Sequence, residues 1–217
     1  MRVGLANVKW QTAPASSKRG EVVVGIAPES REYGLTRGKV FPADQATSLL
    51  NPLRRLVQSP GRTVGAMGLP PDATVLEVGS GPGFFSPSIA RALPRGHLVV
   101  VDLQSEMLVI ARARLGQAVN ASVAQADACE LPVGTGRADA VFLATMLGEV
   151  PDRDRCIEEV RRVLRPGGVV VIAETRRDSD FIPMSKLRAL VERHQFSFVE
   201  RRGMAWQYVA RFQTREA

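Results

Sequence analysis

At 217 residues, with 45% hydrophobic and 24% charged side chains, the chain is long enough to bury a sheet between two helical layers and too apolar to be disordered or fibrous. A formal charge of +7 rests on 25 arginines against four lysines (Lys9, Lys18, Lys39, Lys186), and the lack of any block of five or more like charges argues against a charged binding tail and for a solvated basic surface. The two cysteines, Cys129 and Cys156, stand in no CxxC or metal-ligand spacing, which excludes a disulfide framework and argues against zinc.

Residues 1–40 read as a flexible N-terminal arm, because Ala13 to Gly20 is small, polar and basic and Val22 to Ile26 has no neighbouring strand to pair with. Residues 41–71 read as a helical cap. Pro42 suits a first helical position, Ala46, Leu49, Leu50, Leu53, Leu56 and Val57 recur at helical spacing, and Pro52 predicts a kink. From residue 72 to 217 one domain is expected. Apolar runs alternate there with amphipathic stretches, the pattern of βα units around a buried parallel sheet. Strands are predicted at Thr74 to Val78, Leu98 to Leu103, Ser122 to Ala126, Ala138 to Ala144 and Val169 to Glu174. The predicted helices are Phe84 to Leu93, Ser105 to Leu115, a short one near Glu130, and Asp152 to Leu164, ended by Pro166-Gly167-Gly168. A last helix, Met184 to Arg193, precedes two strand-like segments, Phe196 to Arg201 and Trp206 to Phe212, close enough to pair antiparallel.

The sharpest motif is Val75-Leu76-Glu77-Val78-Gly79-Ser80-Gly81-Pro82-Gly83, a strand running into a glycine turn and then a helix. Glycines admit positive φ and close approach to a ligand, and in an open parallel sheet the first βα turn lies where nucleotide-like ligands bind. A dinucleotide fingerprint would need a third glycine at Phe84; the pattern is instead E-x-G-x-G-x-G.

This motif and its sequel resemble class I S-adenosylmethionine-dependent methyltransferases over roughly residues 74 to 174. The resemblance implies a Rossmann-like α/β fold: a doubly wound seven-stranded sheet, mostly parallel, with an antiparallel C-terminal hairpin. It implies S-adenosylmethionine as cofactor. Glu77, Gly79, Ser80, Gly81 and Gly83 match the motif that holds the methionine end, through backbone NH groups and a carboxylate. Asp102, followed by Leu103, is similar to the acid that takes the ribose hydroxyls, and a carboxylate suits a diol because it offers two acceptors in one plane. Asp127-Ala128 is placed like the pair that meets adenine. Ala144, within Leu143 to Gly148, stands at the fourth-strand exit that lines the transfer site. Each acid taken alone reads equally well as a helix cap or a surface charge. A narrower resemblance, on Phe41-Pro42, Leu49-Leu50, Pro52 to Arg55 and Glu149-Val150-Pro151-Asp152, is to small bacterial methyltransferases of the type 11, ubiquinone-biosynthesis-like kind. Those commonly carry His where this chain has Gly148.

Methyl transfer from a sulfonium is an in-line displacement, so alignment in a dry pocket supplies much of the catalysis and a general base is optional. Glu149, Tyr33 and Arg54 are weak candidates for one. His97 and His194 read as structural, His194 as a cap on the last helix. No Asn-Pro-Pro-Tyr stands at the fourth-strand exit and no Pro-Cys pair occurs, which points away from DNA and towards a small acceptor, apolar if Leu143, Met146 and Leu147 line its pocket. Nucleic acid is not excluded, since segments 1–71 and 175–217 are basic around a mildly acidic middle. The rivals are a non-catalytic binding module and a nicotinamide-dependent oxidoreductase, the latter disfavoured by Phe84 and by the absence of a Tyr-x-x-x-Lys pair. No apolar run approaches the roughly 18 to 20 residues that span a bilayer, so a cytoplasmic protein is expected.

Overall fold

The apolar runs read as buried strands lie side by side in one sheet. The structure, a computed structural model, describes residues 46, 49–51 and 58–215. Tyr33, Arg54 and the arm over residues 1–40 lie outside those residues, as does much of the expected cap.

Seven strands are present: β1 Thr74–Val78, β2 His97–Asp102, β3 Ala121–Gln125, β4 Ala138–Ala144, β5 Leu164–Thr175, β6 Phe196–Met204 and β7 Gln207–Thr214. Their order is β3-β2-β1-β4-β5-β7-β6. The first five pair in parallel, and β7 runs antiparallel between β5 and β6. The expected seven-stranded α/β sheet with its antiparallel hairpin is borne out.

The helices among the described residues are α1 Pro60–Met67, α2 Ser86–Ala92, α3 Ser105–Leu115, α4 Arg153–Val163 and α5 Met184–Glu192. Side chains alternate across a strand, so β1 feeds two cores. Val75 joins Val64 and Met67 of α1, Ile89 of α2 and Ala111 of α3 on one face. Leu76 and Val78 join Ile157 and Val160 of α4 and Leu187 of α5 on the other. α1 lies within the span expected to form a helical cap, beyond the helical spacing that ends at Val57; Pro60 stands in its first turn and Gly68, at φ 62°, closes it.

Three expectations are corrected. No helix forms near Glu130. The Asp127 side chain accepts the Cys129 N–H at 2.7 Å and its carbonyl the Glu130 N–H at 3.0 Å, a local turn that competes with helix. Pro166-Gly167-Gly168 does not end α4, which stops at Val163. Leu164 already pairs with Ala138, and Arg165 to Gly168 bulge out before Val169 pairs with Ala140. Trp206 lies in the turn between β6 and β7 rather than in a strand.

Candidate active site

The chain runs from β1 outward through β2 to β3, then returns to place β4 on the other side of β1. The crevice this creates at the carboxyl ends of β1 and β4 is the switch point where open α/β sheets bind ligands. Every cofactor residue expected from the sequence falls on that rim. Glu77 is the next-to-last residue of β1, Asp102 ends β2, and Ala144 ends β4. Leu103 follows β2, and Asp127 and Ala128 follow β3. Gly79, Ser80, Gly81 and Gly83 form the turn between β1 and α2.

That turn is fixed by the neighbouring strand. Gly79 and Ser80 donate to the Val101 carbonyl at 2.8 and 3.1 Å, Gly81 donates to Asp102 Oδ2 at 2.7 Å, and Gly83 donates to the Ser80 carbonyl at 3.1 Å. The donors that the resemblance assigned to a ligand therefore already bond within the protein. The turn's contribution is close approach. Gly79 has φ 67°, and a Cβ there would sit 2.7 Å from Met146 Cγ; at Gly83, φ 74°, it would sit 2.9 Å from Ala111 Cα. Leu49 comes close to Gly81, and the Arg114 guanidinium donates to the Gly83 carbonyl at 3.1 Å. Neither contact was legible in the sequence, because each joins positions more than 30 residues apart with no motif between them.

Asp102 serves two elements at once. Oδ2 holds Gly81 and Oδ1 accepts the Gln104 N–H at 2.9 Å, while the Asp102 carbonyl accepts from Ala126 at 3.0 Å. The Leu103 carbonyl accepts from Gln125 Nε2 at 2.9 Å, so β1, β2 and β3 are stitched together along the rim. A carboxylate offers about four lone-pair sites, so the N–H groups that hold Asp102 leave it room to accept a ligand hydroxyl.

The electrostatics of the pair are unusual. Glu77 is 2% exposed. Burial pushes its pKa up to about 8, with the Asp102 charge adding to the rise and the Ser86 hydroxyl opposing it. Asp102 is also raised by burial, against three backbone N–H groups that favour its charged form. Among the described residues no lysine or arginine pairs with either acid, and Glu77 Oε2 has no hydrogen-bond partner. Two buried carboxylates without a counter-charge form a site that a cation would stabilise.

Leu143 and Leu147 are buried in the core and do not line an acceptor pocket; Met146, half-buried, covers Gly79. Gly148 now has a physical reason, since a Cβ there would lie 2.0 Å from the Asp180 carbonyl oxygen. The β5–α5 connection packs directly against that position. Arg153 donates to the Leu147 and Gly148 carbonyls at 3.1 and 2.7 Å, which pins the loop after β4. Asp152 caps α4 through the Arg155 N–H at 2.9 Å, and Glu149 is half-buried in the same loop. His97 meets Ser122 at 3.0 Å at the amino end of β2, away from the rim. His194 does not cap α5; its ring meets Asp154 at 2.6 Å and ties α5 to α4. A second buried acid passed unnoticed in the sequence. Glu174, 1% exposed at the end of β5, accepts the Ile182 N–H at 3.3 Å, and burial raises its pKa to about 8. Its signal was the one Glu77 gives, an acid closing an apolar strand, but without a glycine turn to draw the eye.

Residues 75–168 match the family model described as a methyltransferase domain. A ubiquinone/menaquinone biosynthesis C-methyltransferase UbiE of Vibrio vulnificus is 31% identical over 129 residues, which cover 58% of this chain and 49% of that protein. The UbiE of Hahella chejuensis is 34% identical over 116 residues, 52% of this chain and 47% of that one. The chain thus spans about half the length of the curated relatives it matches. Among solved structures, a SAM-dependent methyltransferase from Aquifex aeolicus superposes with a TM-score of 0.73 at 19% identity, over 80% of this chain and 98% of that one. A putative methyltransferase of Haloferax volcanii, in complex with the Trm112 methyltransferase activator, gives 0.70 at 15% identity over 81% and 95%. The methyltransferase-domain resemblance read in the sequence is borne out over residues 75–168, and the solved structures bear out the expected fold.

Proposed function

We propose that this chain, whose residues 75–168 form a class I methyltransferase domain, moves the methyl group of S-adenosylmethionine to a small apolar acceptor in the bacterial cytoplasm. The observation that carries the reading is the pair of buried, cation-free carboxylates Glu77 and Asp102 beside a turn that a single Cβ would obstruct. S-adenosylmethionine carries a cationic amino group and a methyl made electrophilic by its sulfonium. Glu77 Oε2 would take the amino group, Asp102 the ribose diol, and Asp127 with Ala128 the adenine edge. Gly79 and Gly81 would let the backbone lie against the ligand, and the rim at Ala144 and Met146 would border the methyl. Alignment and exclusion of water on that rim supply the catalysis, with no side chain required as base. The names of the UbiE relatives, all bacterial, support a quinone-like acceptor.

Thermal unfolding with S-adenosylhomocysteine, S-adenosylmethionine and NAD in parallel tests the cofactor. A ligand at about a hundred times its dissociation constant adds roughly 2.7 kcal/mol, or about 5 to 10 °C for a chain of this size. The two adenosyl ligands should give that shift, and Asp102→Asn, which keeps the shape but not the charge, should lose most of it. A shift with NAD alone would sink the reading. Transfer of labelled methyl from S-adenosylmethionine into lysate RNA or protein, with none in the organic extract, would remove the small acceptor.

A further inference from the structure

The β6–β7 hairpin carries a surface that the methyltransferase reading does not use. Thr175, the last residue of β5, pairs with Gln207, so the turn between Met204 and Gln207 stands on the same rim as the Gly79 turn. Met204 is 63% exposed and Trp206 45%. Hairpin tips favour Asn, Asp and Gly, and Ala205-Trp206 is none of these. Neither residue has a positive φ, so the backbone does not demand them. The tip is nonetheless held in place, because the Trp206 carbonyl accepts the Arg176 N–H at 2.8 Å. Exposed arginines lie near it: Arg176 and Arg177 directly after β5, and Arg201 on β6, opposite Ala210 and three residues before Met204. Arg202 is already paired with Glu200. Single exposed apolar side chains are ordinary. A methionine and a tryptophan two residues apart on a rigid tip, bordered by three cations and set on the ligand-binding rim, form a more specific arrangement.

We infer that this hairpin tip docks the protein on an anionic lipid bilayer, Met204 and Trp206 entering the headgroup region while Arg176, Arg177 and Arg201 meet lipid phosphates. Tryptophan sits favourably at that depth, and each arginine near an anionic surface gains about fivefold in partitioning. The geometry turns the rim, and with it the mouth of the candidate site, towards the membrane. An apolar acceptor could then pass from the bilayer to the site without crossing water. That purpose rests on the methyltransferase reading; the docking itself does not.

The test uses the full chain with vesicles of phosphatidylcholine alone or mixed equally with phosphatidylglycerol, in the absence of methyl donor and acceptor. Trp10→Phe leaves Trp206 as the remaining tryptophan of two. The protein should sediment with the anionic vesicles and not with the neutral ones, and Trp206 emission should move to shorter wavelength. Met204→Ser with Trp206→Ser should lower partitioning about tenfold, and Arg177→Ser with Arg201→Ser about twenty-five-fold. Both pairs should keep the thermal shift with S-adenosylhomocysteine, which shows that they fold and separates loss of docking from failure of the cofactor reading. Absence of vesicle binding, or binding indifferent to both pairs, overturns the inference. So does tighter, salt-sensitive binding to an RNA oligonucleotide through the same arginines, or a dimer that the Met204 and Trp206 pair dissolves.

Discussion

Glu77 shows how one buried acid couples cofactor binding to pH. Its folded pKa of about 8 stands well above the ordinary 4.5. Below 4.5 the acid is protonated in folded and unfolded chains alike and costs nothing. As pH rises towards 8 the unfolded chain ionises while the folded one keeps its proton, so stability is lost at up to about 1.4 kcal/mol per unit. Glu77→Gln should therefore gain stability on the native protein between pH 5 and 8 and match it near pH 4. Urea midpoints across that range measure the gain, and parallel curves for the two proteins would refute the burial argument. A ligand cation beside Glu77 reverses the balance, because it favours the carboxylate. Binding of S-adenosylmethionine at pH 7 should then release protons, seen as a calorimetric enthalpy that depends on the buffer's ionisation heat. Glu174, on the opposite face of the sheet, adds a second loss of the same sign, since its pKa also lies at about 8.

Elements built on local periodicity were the legible ones. Thr74–Val78, Ala138–Ala144 and Ser105–Leu115 form as predicted, because apolar alternation and a clean start and stop specify them within their own span. The turn at Asp127 and the bulge at Arg165 to Gly168 escaped for a shared reason: a distant partner decides each. Arg165 is drawn to Asp139 on the neighbouring strand, and the stretch after Asp127 is held by α4. The acids of the candidate site were legible as strand ends, but their bonding was not, since Gly81 to Asp102 spans two elements. Glu159 is the test at this scale. It is buried on α4 and accepts the Leu131 N–H at 2.9 Å, while Arg162 grips both its oxygens and donates to the Leu131 and Val133 carbonyls. Burial would raise its pKa, but Arg162 and the Leu131 N–H outweigh that and hold it below its ordinary value. Arg162→Ala strands a buried carboxylate and should cost about 3 kcal/mol. Because the Leu131 segment follows Asp127 directly, affinity for S-adenosylhomocysteine should fall as well. The double variant Arg162→Met with Glu159→Leu should recover most of the stability; equal losses in the two proteins would mean that the ion pair is not the anchor.

The molecule as a whole divides its labour between a sheet that folds on its own cores and a segment before it that reaches the ligand rim. All seven strands and all five described helices lie within residues 60–214, and among the described residues before Gln58 one flank packs against an apolar layer. That flank is Leu50, which packs against the face shared by α1, α2 and α3, with Ala46 buried nearby in sequence and Leu49 facing the Gly81 turn. A chain beginning at Gln58 should therefore keep its circular dichroism and a cooperative urea transition, losing about 1 to 2 kcal/mol for the uncovered leucines. Its affinity for S-adenosylhomocysteine should drop about tenfold or more, because the turn at Gly81 then faces water that competes for the same backbone. Unfolding of the truncated chain would place residues 46–50 in the core rather than over the site. Undiminished affinity would separate the segment from the ligand altogether, leaving Met146 as the side chain that covers the glycine turn.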